Sequence, residues 1–208
     1  MSHHILKLIE EGEHQKLDFK FEISDARRIA RTLVAFANTH GGRLLIGVKD
    51  NGAIAGVRSE EEYYMLEGAA KMYCKPPVEF QSKEWTLNNK TVLEIIVPKS
   101  SQKPHYAAQK DGKWLVYIRV ADQNLLANRV LLKVWEKERK PQGVFLKFTD
   151  KEKTLLEYLE NNSTITLSKF SRIAFISRAK AENILVKFVL LKLIKIRFEE
   201  KQTLYHII

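Results

Sequence analysis

Two groups of side chains in this 208-residue chain have types and spacings that could do chemistry. One is acidic. Glu13 and Asp18 lie five residues apart with Lys20 close behind, and a third carboxylate, Asp50, opens an Asp50-Asn51-Gly52 turn. A carboxylate in that position is either an ordinary turn former or a site residue aimed out of a sheet. Glu13 and Asp18 can converge only if the chain turns near His14 or Gln15. The other group is basic. Arg178, Lys180, Asn183 and Lys187 share one side of a helical pattern whose opposite side carries Ala181, Ile184, Leu185 and Phe188. Lysines on such an edge can neutralise phosphate, an asparagine can read a base edge, and Arg178 can do either. Lys201, in a Lys201-Gln202-Thr203 turn, is compatible with a backbone contact. Arg119 alternates with Tyr117 along a strand; it is either solvated or salt-bridged, or, beside a carboxylate cluster, it holds a phosphate.

The acidic group needs a strand and two turns to place it. Leu17, Phe19 and Phe21 share one strand face, leaving Lys16, Asp18, Lys20 and Glu22 on the other. Ser24 is placed to cap a helix running through Ile29, Leu33, Phe36 and Ala37. Its polar edge, Arg27, Arg28 and Arg31, is either a phosphate-binding edge or a solvated face. Asn38 and Gly41-Gly42 end that helix, Leu44 to Val48 forms a strand, and Ile54 to Val57 is expected to pair back against it across Asp50-Asn51-Gly52. A capping box of Ser59 and Glu62 starts a helix from Glu60 to about Tyr73, which Pro76-Pro77 terminates. Val78 to Leu87 and Thr91 to Val97 read as strands joined at Asn88-Asn89, with Trp85 as a packing or sheet-surface residue in preference to a base-stacking platform. After a polar excursion containing Lys103-Pro104-His105-Tyr106, where His105 is structural or site-lining, Trp114 to Val120 returns as a strand. Leu125 to Glu138 is the closing helix, so the first domain spans residues 1–140.

Residues 148–208 read as a second domain. Thr149 and Glu152 form a capping box for a helix from Lys151 to Glu160; a short helix spans about Ser168 to Ala174, and Ser177 caps a third reaching about Leu191. Leu193 to Phe198 and Leu204 to Ile208 are terminal strands. Three helices and a two-stranded wing predict a winged helix-turn-helix, with the third helix as the groove-reading element.

The totals narrow the function classes. The net charge is +10, divided as +6 over residues 1–147 and +4 over the much shorter 148–208, so polyanions are the natural partners: DNA first, RNA as an alternative. No run reaches the roughly 18 apolar residues of a membrane helix and the N-terminal sequence lacks a secretory pattern, so a cytoplasmic, non-membrane protein is expected. Homodimerisation stays open. Cys74 is the single cysteine, which excludes an intrachain disulfide and a thiolate metal cluster. The five glycines between Gly41 and Gly56 fit neither phosphate-loop spacing, and no HExxH, CxxC or GxSxG occurs.

ExxxxDFK at Glu13 to Lys20, AFANTHGGRLLIGVKDNGAIAGV at Ala35 to Val57, KPHY at Lys103 to Tyr106 and YIRVAD at Tyr117 to Asp122 together resemble the Schlafen-type AlbA_2 family over roughly residues 7–135. The resemblance implies an α+β fold, an AlbA_2-type mixed sheet with packed helices, here followed by the small winged helix-turn-helix domain of bacterial transcriptional regulators. It also implies an alternative. Relatives with this domain include RNA-cleaving enzymes that use three carboxylates, and Glu13, Asp18 and Asp50 fall where those acids fall, with Lys20 placed to stabilise negative charge. In that reading the three acids hold Mg2+ or Mn2+. In this chain aspartate stands at position 18 where the usual pattern has glutamate, and YIRVAD departs from the more usual YIRxGS. A non-enzymatic DNA-binding regulator needs no cofactor and is the favoured expectation; a metal-dependent endoribonuclease and a ligand-sensing or protein-interaction module are the alternatives. Convergence of the three carboxylates discriminates between the first two.

Overall fold

Residues 2–57, 60–140 and 143–208 are described by a computed structural model, in which two compact units divide between Leu126 and Ala127. The first unit runs helix α1 (Ser2–Glu11), strand β1 (Leu17–Lys20), helix α2 (Ala26–Asn38), strand β2 (Gly42–Ile46), helix α3 (Glu61–Met72) and strand β3 (Cys74–Lys75). Six strands follow: β4 (Gln81–Leu87), β5 (Lys90–Val97), β6 (Tyr106–Ala108), β7 (Trp114–Leu115), β8 (Tyr117–Val120) and β9 (Gln123–Leu126). The main sheet has the order β1-β2-β5-β4, with β1 parallel to β2 and the other two pairs antiparallel. A parallel pair needs a crossover, and α2 supplies it.

Strand β2 explains why the sequence is so apolar there. Leu44 and Ile46 pack with α2 and α3, while Leu45 packs on the opposite face with Ile5 and Leu8 of α1, so successive side chains are all buried. Asn88 and Asn89 both adopt positive φ, 47° and 59°, at the β4–β5 turn, as two asparagines in a tight hairpin can. Gly47 has φ of 90° and lies so close to Gly56 that a Cβ would fall 2.8 Å from its carbonyl carbon. That glycine shapes a chain crossing.

Several local expectations change. Ile54 to Val57 does not form a ladder with β2, whose two edges are already taken by β1 and β5; a single bridge joins Val48 to Ile54, and Val57 donates its N–H to Thr91. The cap of α2 is Asp25, which accepts the Arg27 N–H at 2.8 Å, and not Ser24. Ser59, the expected cap of the next helix, lies outside the described residues. Trp114 to Val120 splits into β7 and β8, which belong to different sheets. Phe21 is exposed, because β1 ends at Lys20. His105 is buried, with its ring between the Pro76 carbonyl and the Ser100 hydroxyl, a structural role. Cys74 is a buried thiol whose pKa burial pushes up to about 12.

The second unit consists of helices α4 (Arg129–Arg139), α5 (Asp150–Asn161), α6 (Leu167–Ile173) and α7 (Arg178–Leu190), then the antiparallel pair β10 (Ile194–Phe198) and β11 (Thr203–Ile207). The Thr149–Glu152 capping box and the Ser177 cap are present. Ile165 adds a one-residue bridge to Tyr205 of β11. The expected closing helix of the first domain is α4, and it belongs here: Val130 and Val134 join the core formed by Leu155, Phe170, Leu185 and Phe188. No helix among the described residues is long and apolar enough to cross a membrane.

Candidate functional site

The turn that the acidic group requires exists. His14 and Leu17 form a bridge with reciprocal backbone hydrogen bonds, so the chain reverses at Gln15-Lys16 and Glu13 comes back beside β1. Glu13 Oε1 accepts the Phe19 N–H at 2.8 Å. Burial raises the Glu13 pKa above its ordinary 4.5; the Phe19 N–H pulls it down, a hydrogen bond and charge from Asp18 push it up, and the Lys20 charge again lowers it. Glu13 thus stands against Asp18.

Asp18 is 3 % exposed and faces two cations. Arg119 Nη2 donates to its Oδ1 at 3.0 Å. Lys20 Nζ lies 2.8 Å from Oδ2 and also donates to the Phe19 carbonyl at 2.6 Å; its approach to Oδ2 is an ion pair that is not aligned as a hydrogen bond. Asp50 stands apart in this respect: it is exposed in its turn. Among the described residues no three His, Cys, Asp or Glu side chains stand together as a metal ion requires. The structure therefore brings Glu13, Asp18 and Lys20 together and does not complete the set with Asp50. A divalent cation takes several oxygen ligands, whereas here two carboxylates are already balanced by two protein cations; as arranged, these residues do not fit Mg2+ or Mn2+.

Arg119, expected on the nucleic-acid-binding surface, is 2 % exposed. Its guanidinium donates to the His14 and Leu17 carbonyls, to Asn124 and to Asp18, and lies 5.3 Å from the Phe36 ring centroid. A fork so occupied is a fastener between β8, the Gln15-Lys16 turn and β1. Gln15 completes it, donating to the Arg119 carbonyl at 2.7 Å and accepting the Ala121 N–H at 3.0 Å. The sequence offered no local signal for this pair, because its members are 101 residues apart. A second buried acid, Glu94, likewise has no local signal in the sequence; His4, Arg43 and Trp85 satisfy it.

The basic group lies on α7. Ala181, Ile184, Leu185 and Phe188 are buried as the periodicity requires, and Arg178, Lys180 and Asn183 are exposed, with Lys187 half-buried. The helix is covered more widely than expected, since Glu182 and Val186 are also buried, in the unit where α4 supplies Lys133. Lys133 Nζ reaches both Glu182 Oε2, at 3.0 Å, and Asn183 Oδ1, at 3.1 Å, so the Asn183 carbonyl oxygen is engaged. Arg178 Nε stands 3.7 Å from Glu182. Lys180, Lys187 and the exposed Lys201, in the β10–β11 turn closed by Glu199 and Gln202, pair with no carboxylate among the described residues.

Residues 13–128 match the family model described as Schlafen, AlbA_2. Among solved structures, the DIP2311 protein of Corynebacterium diphtheriae is similar at 20 % identity and a TM-score of 0.44, over 63 % of this chain and 25 % of that one. The N-terminal domain of a protein from Nitrosomonas europaea, named for its relation to the ATP-dependent DNA helicase RecG, is similar at 21 % identity and a TM-score of 0.41, over 60 % of this chain and 95 % of that one. The chain thus spans about a quarter of the length of the first. No characterised protein matches by sequence.

Proposed function

The chain belongs to the Schlafen AlbA_2 family through residues 13–128, and from that premise we propose that it is a cytoplasmic, non-enzymatic DNA-binding transcriptional regulator whose second unit is a winged helix-turn-helix. The observation that carries the reading is the basic edge of α7: Arg178 and Lys180 are exposed, Lys187 is half-exposed, and all stand on a helix whose other faces are packed. The β10–β11 hairpin is the wing and Lys201 its tip contact. Arg178, Lys180 and Lys187 contact phosphates, and Asn183 reads a base edge through its amide nitrogen, its oxygen being held by Lys133. Arg119 has no part in the contact.

Filter binding of duplex DNA to the full chain at several salt concentrations tests this. Salt-dependent association that weakens in a Lys180→Gln, Lys187→Gln double variant is expected; no association at low salt rejects the reading. The competing function is an endoribonuclease using Glu13, Asp18, Asp50 and Lys20 with Mg2+ or Mn2+. What supports it is the Glu13–Asp18 pair with Lys20 beside it; what weighs against it is the missing third carboxylate. Incubation of labelled tRNA-like and single-stranded RNA with either metal, beside an Asp50→Ala variant, decides. Cleavage by the native chain that the variant lacks favours the nuclease.

A further inference from the structure

The second unit contains a cavity of about 710 Å³ that borders the proposed DNA contacts. Arg129, Arg178 and Lys201 line it together with the hydroxyls of Ser168, Thr203 and Tyr205. Arg129 and Lys201 are exposed and pair with no carboxylate among the described residues. The one acid on the wall, Glu182, is already ion-paired with Lys133 at 3.0 Å. Tyr205 is 1 % exposed yet reaches the cavity. Its oxygen accepts the Asn128 amide at 3.2 Å, and among the described residues no group accepts its own proton. Burial raises its pKa to about 12, with the Asn128 amide lowering it, so the hydroxyl keeps that proton at neutral pH. A hydroxyl whose proton is left over after the Asn128 contact, in a cavity with an excess of positive charge, suits an anionic acceptor. Two guanidinium forks on the rim suit the tetrahedral oxygens of phosphate. The first turns of α4 and α7, at Arg129 and Arg178, add their positive helix ends. The volume falls within the range of small-molecule sites.

We infer that this cavity binds a small phosphate-bearing molecule, through Arg129, Arg178, Lys201 and the Tyr205 hydroxyl. The cavity shares Arg178 and Lys201 with the proposed DNA-binding face, so its occupant draws these cations away from DNA. That consequence rests on the regulator reading; the binding site itself does not.

Calorimetric titration of the full chain with inorganic phosphate and with adenosine monophosphate, at constant ionic strength set with chloride, tests the site. Saturable binding of at least one probe is expected, weakened about tenfold by Arg129→Gln, also weakened by Tyr205→Phe, and unchanged in a Lys153→Gln control. Arg129 is exposed, so its variant keeps the result readable if Tyr205→Phe fails to fold. No saturable binding of either probe, or equal binding by Arg129→Gln and the native chain, overturns the site. Duplex DNA association is then measured with and without the bound probe. Weaker association with the probe supports the coupling, and equal association overturns it. A chain that binds the probe but never DNA overturns the regulator reading and leaves the cavity assignment standing.

Discussion

Arg119 and Arg178 carry the same guanidinium into opposite surroundings. Arg119 is 2 % exposed and its nitrogens are committed to two carbonyls, an asparagine and a buried carboxylate of its own unit. The Arg178 side chain is 67 % exposed, with Glu182 at 3.7 Å as its nearest acid. Sequence pattern offered both as nucleic-acid contacts, with a solvated or salt-bridged role as the alternative for Arg119. The contrast shows what decides the matter: a cation is available to a polyanion when its own chain leaves it without counter-charge and with water around it. In the first unit Asp18 has Arg119 and Lys20 as counter-charges, while in the second Lys180, Lys187 and Lys201 remain open.

The largest expected effect follows from breaking the closed half. Arg119→Leu leaves the buried Asp18 carboxylate with Lys20 as its one remaining cation and frees the carbonyls that Arg119 held, and removing one partner of a buried pair costs about 3–5 kcal/mol; urea denaturation of the full chain should show the loss. Arg178→Leu should stay within about 0.5 kcal/mol, as exposed positions do. Equal losses at the two sites would erase the contrast. The open half is broken in another measurement. Lys180→Gln and Lys187→Gln should each leave stability unchanged and reduce the slope of log affinity for duplex DNA against log salt by about 1, uniformly across DNA sequences. A full slope in either variant removes that lysine from the phosphate contacts.

How much of this was legible before the fold was known differs between the halves for a physical reason. Positions on one helix are related by a fixed 3.6-residue period, so Ala181, Ile184, Leu185 and Phe188 could be set inward and Lys180 outward from spacing alone. Local caps and turns, Thr149 with Glu152, Ser177, and Asn88-Asn89, were likewise readable because their hydrogen bonds join near neighbours. The turn at Gln15-Lys16 could be required but not shown. The Asp18–Arg119 pair, the exposed position of Asp50, and the allegiance of α4 depend on which elements meet in space. An apolar stripe on α4 says that Val130 and Val134 will be buried, and it does not say by which unit.

A smaller test sharpens the closed half at its turn. Ala121 follows Arg119 by two residues and adopts φ of 52°, a conformation that costs a non-glycine residue. Ala121→Gly relieves that strain and gives back part of it as unfolded-chain entropy, so a gain of a few tenths to about 1 kcal/mol is expected by thermal denaturation. A loss would mean that the Gln15–Ala121 hydrogen bond holds the turn without strain.

The subtlest test asks whether the closed half is closed by its own charges. Glu13 titrates above its ordinary value of 4.5, because burial disfavours the charge and Asp18 adds to that, while the Phe19 N–H and Lys20 oppose it. A raised folded-state pKa means that the proton is held more tightly in the native chain. The resulting stabilisation is full below the unfolded pKa and is lost as pH rises through the folded one. At neutral pH the charged Glu13 is then a net cost. Glu13→Gln keeps an oxygen for the Phe19 N–H and removes the charge. Its stability relative to the native chain should rise from pH 4 towards pH 7 and level off above. A relative stability that falls with pH would show that something favours the Glu13 charge, and repeating the series with Mn2+ would identify it. If the metal stabilises the native chain at pH 7 but not Glu13→Gln, the pair takes a cation after all, and the contrast between a closed first unit and an open second one gives way.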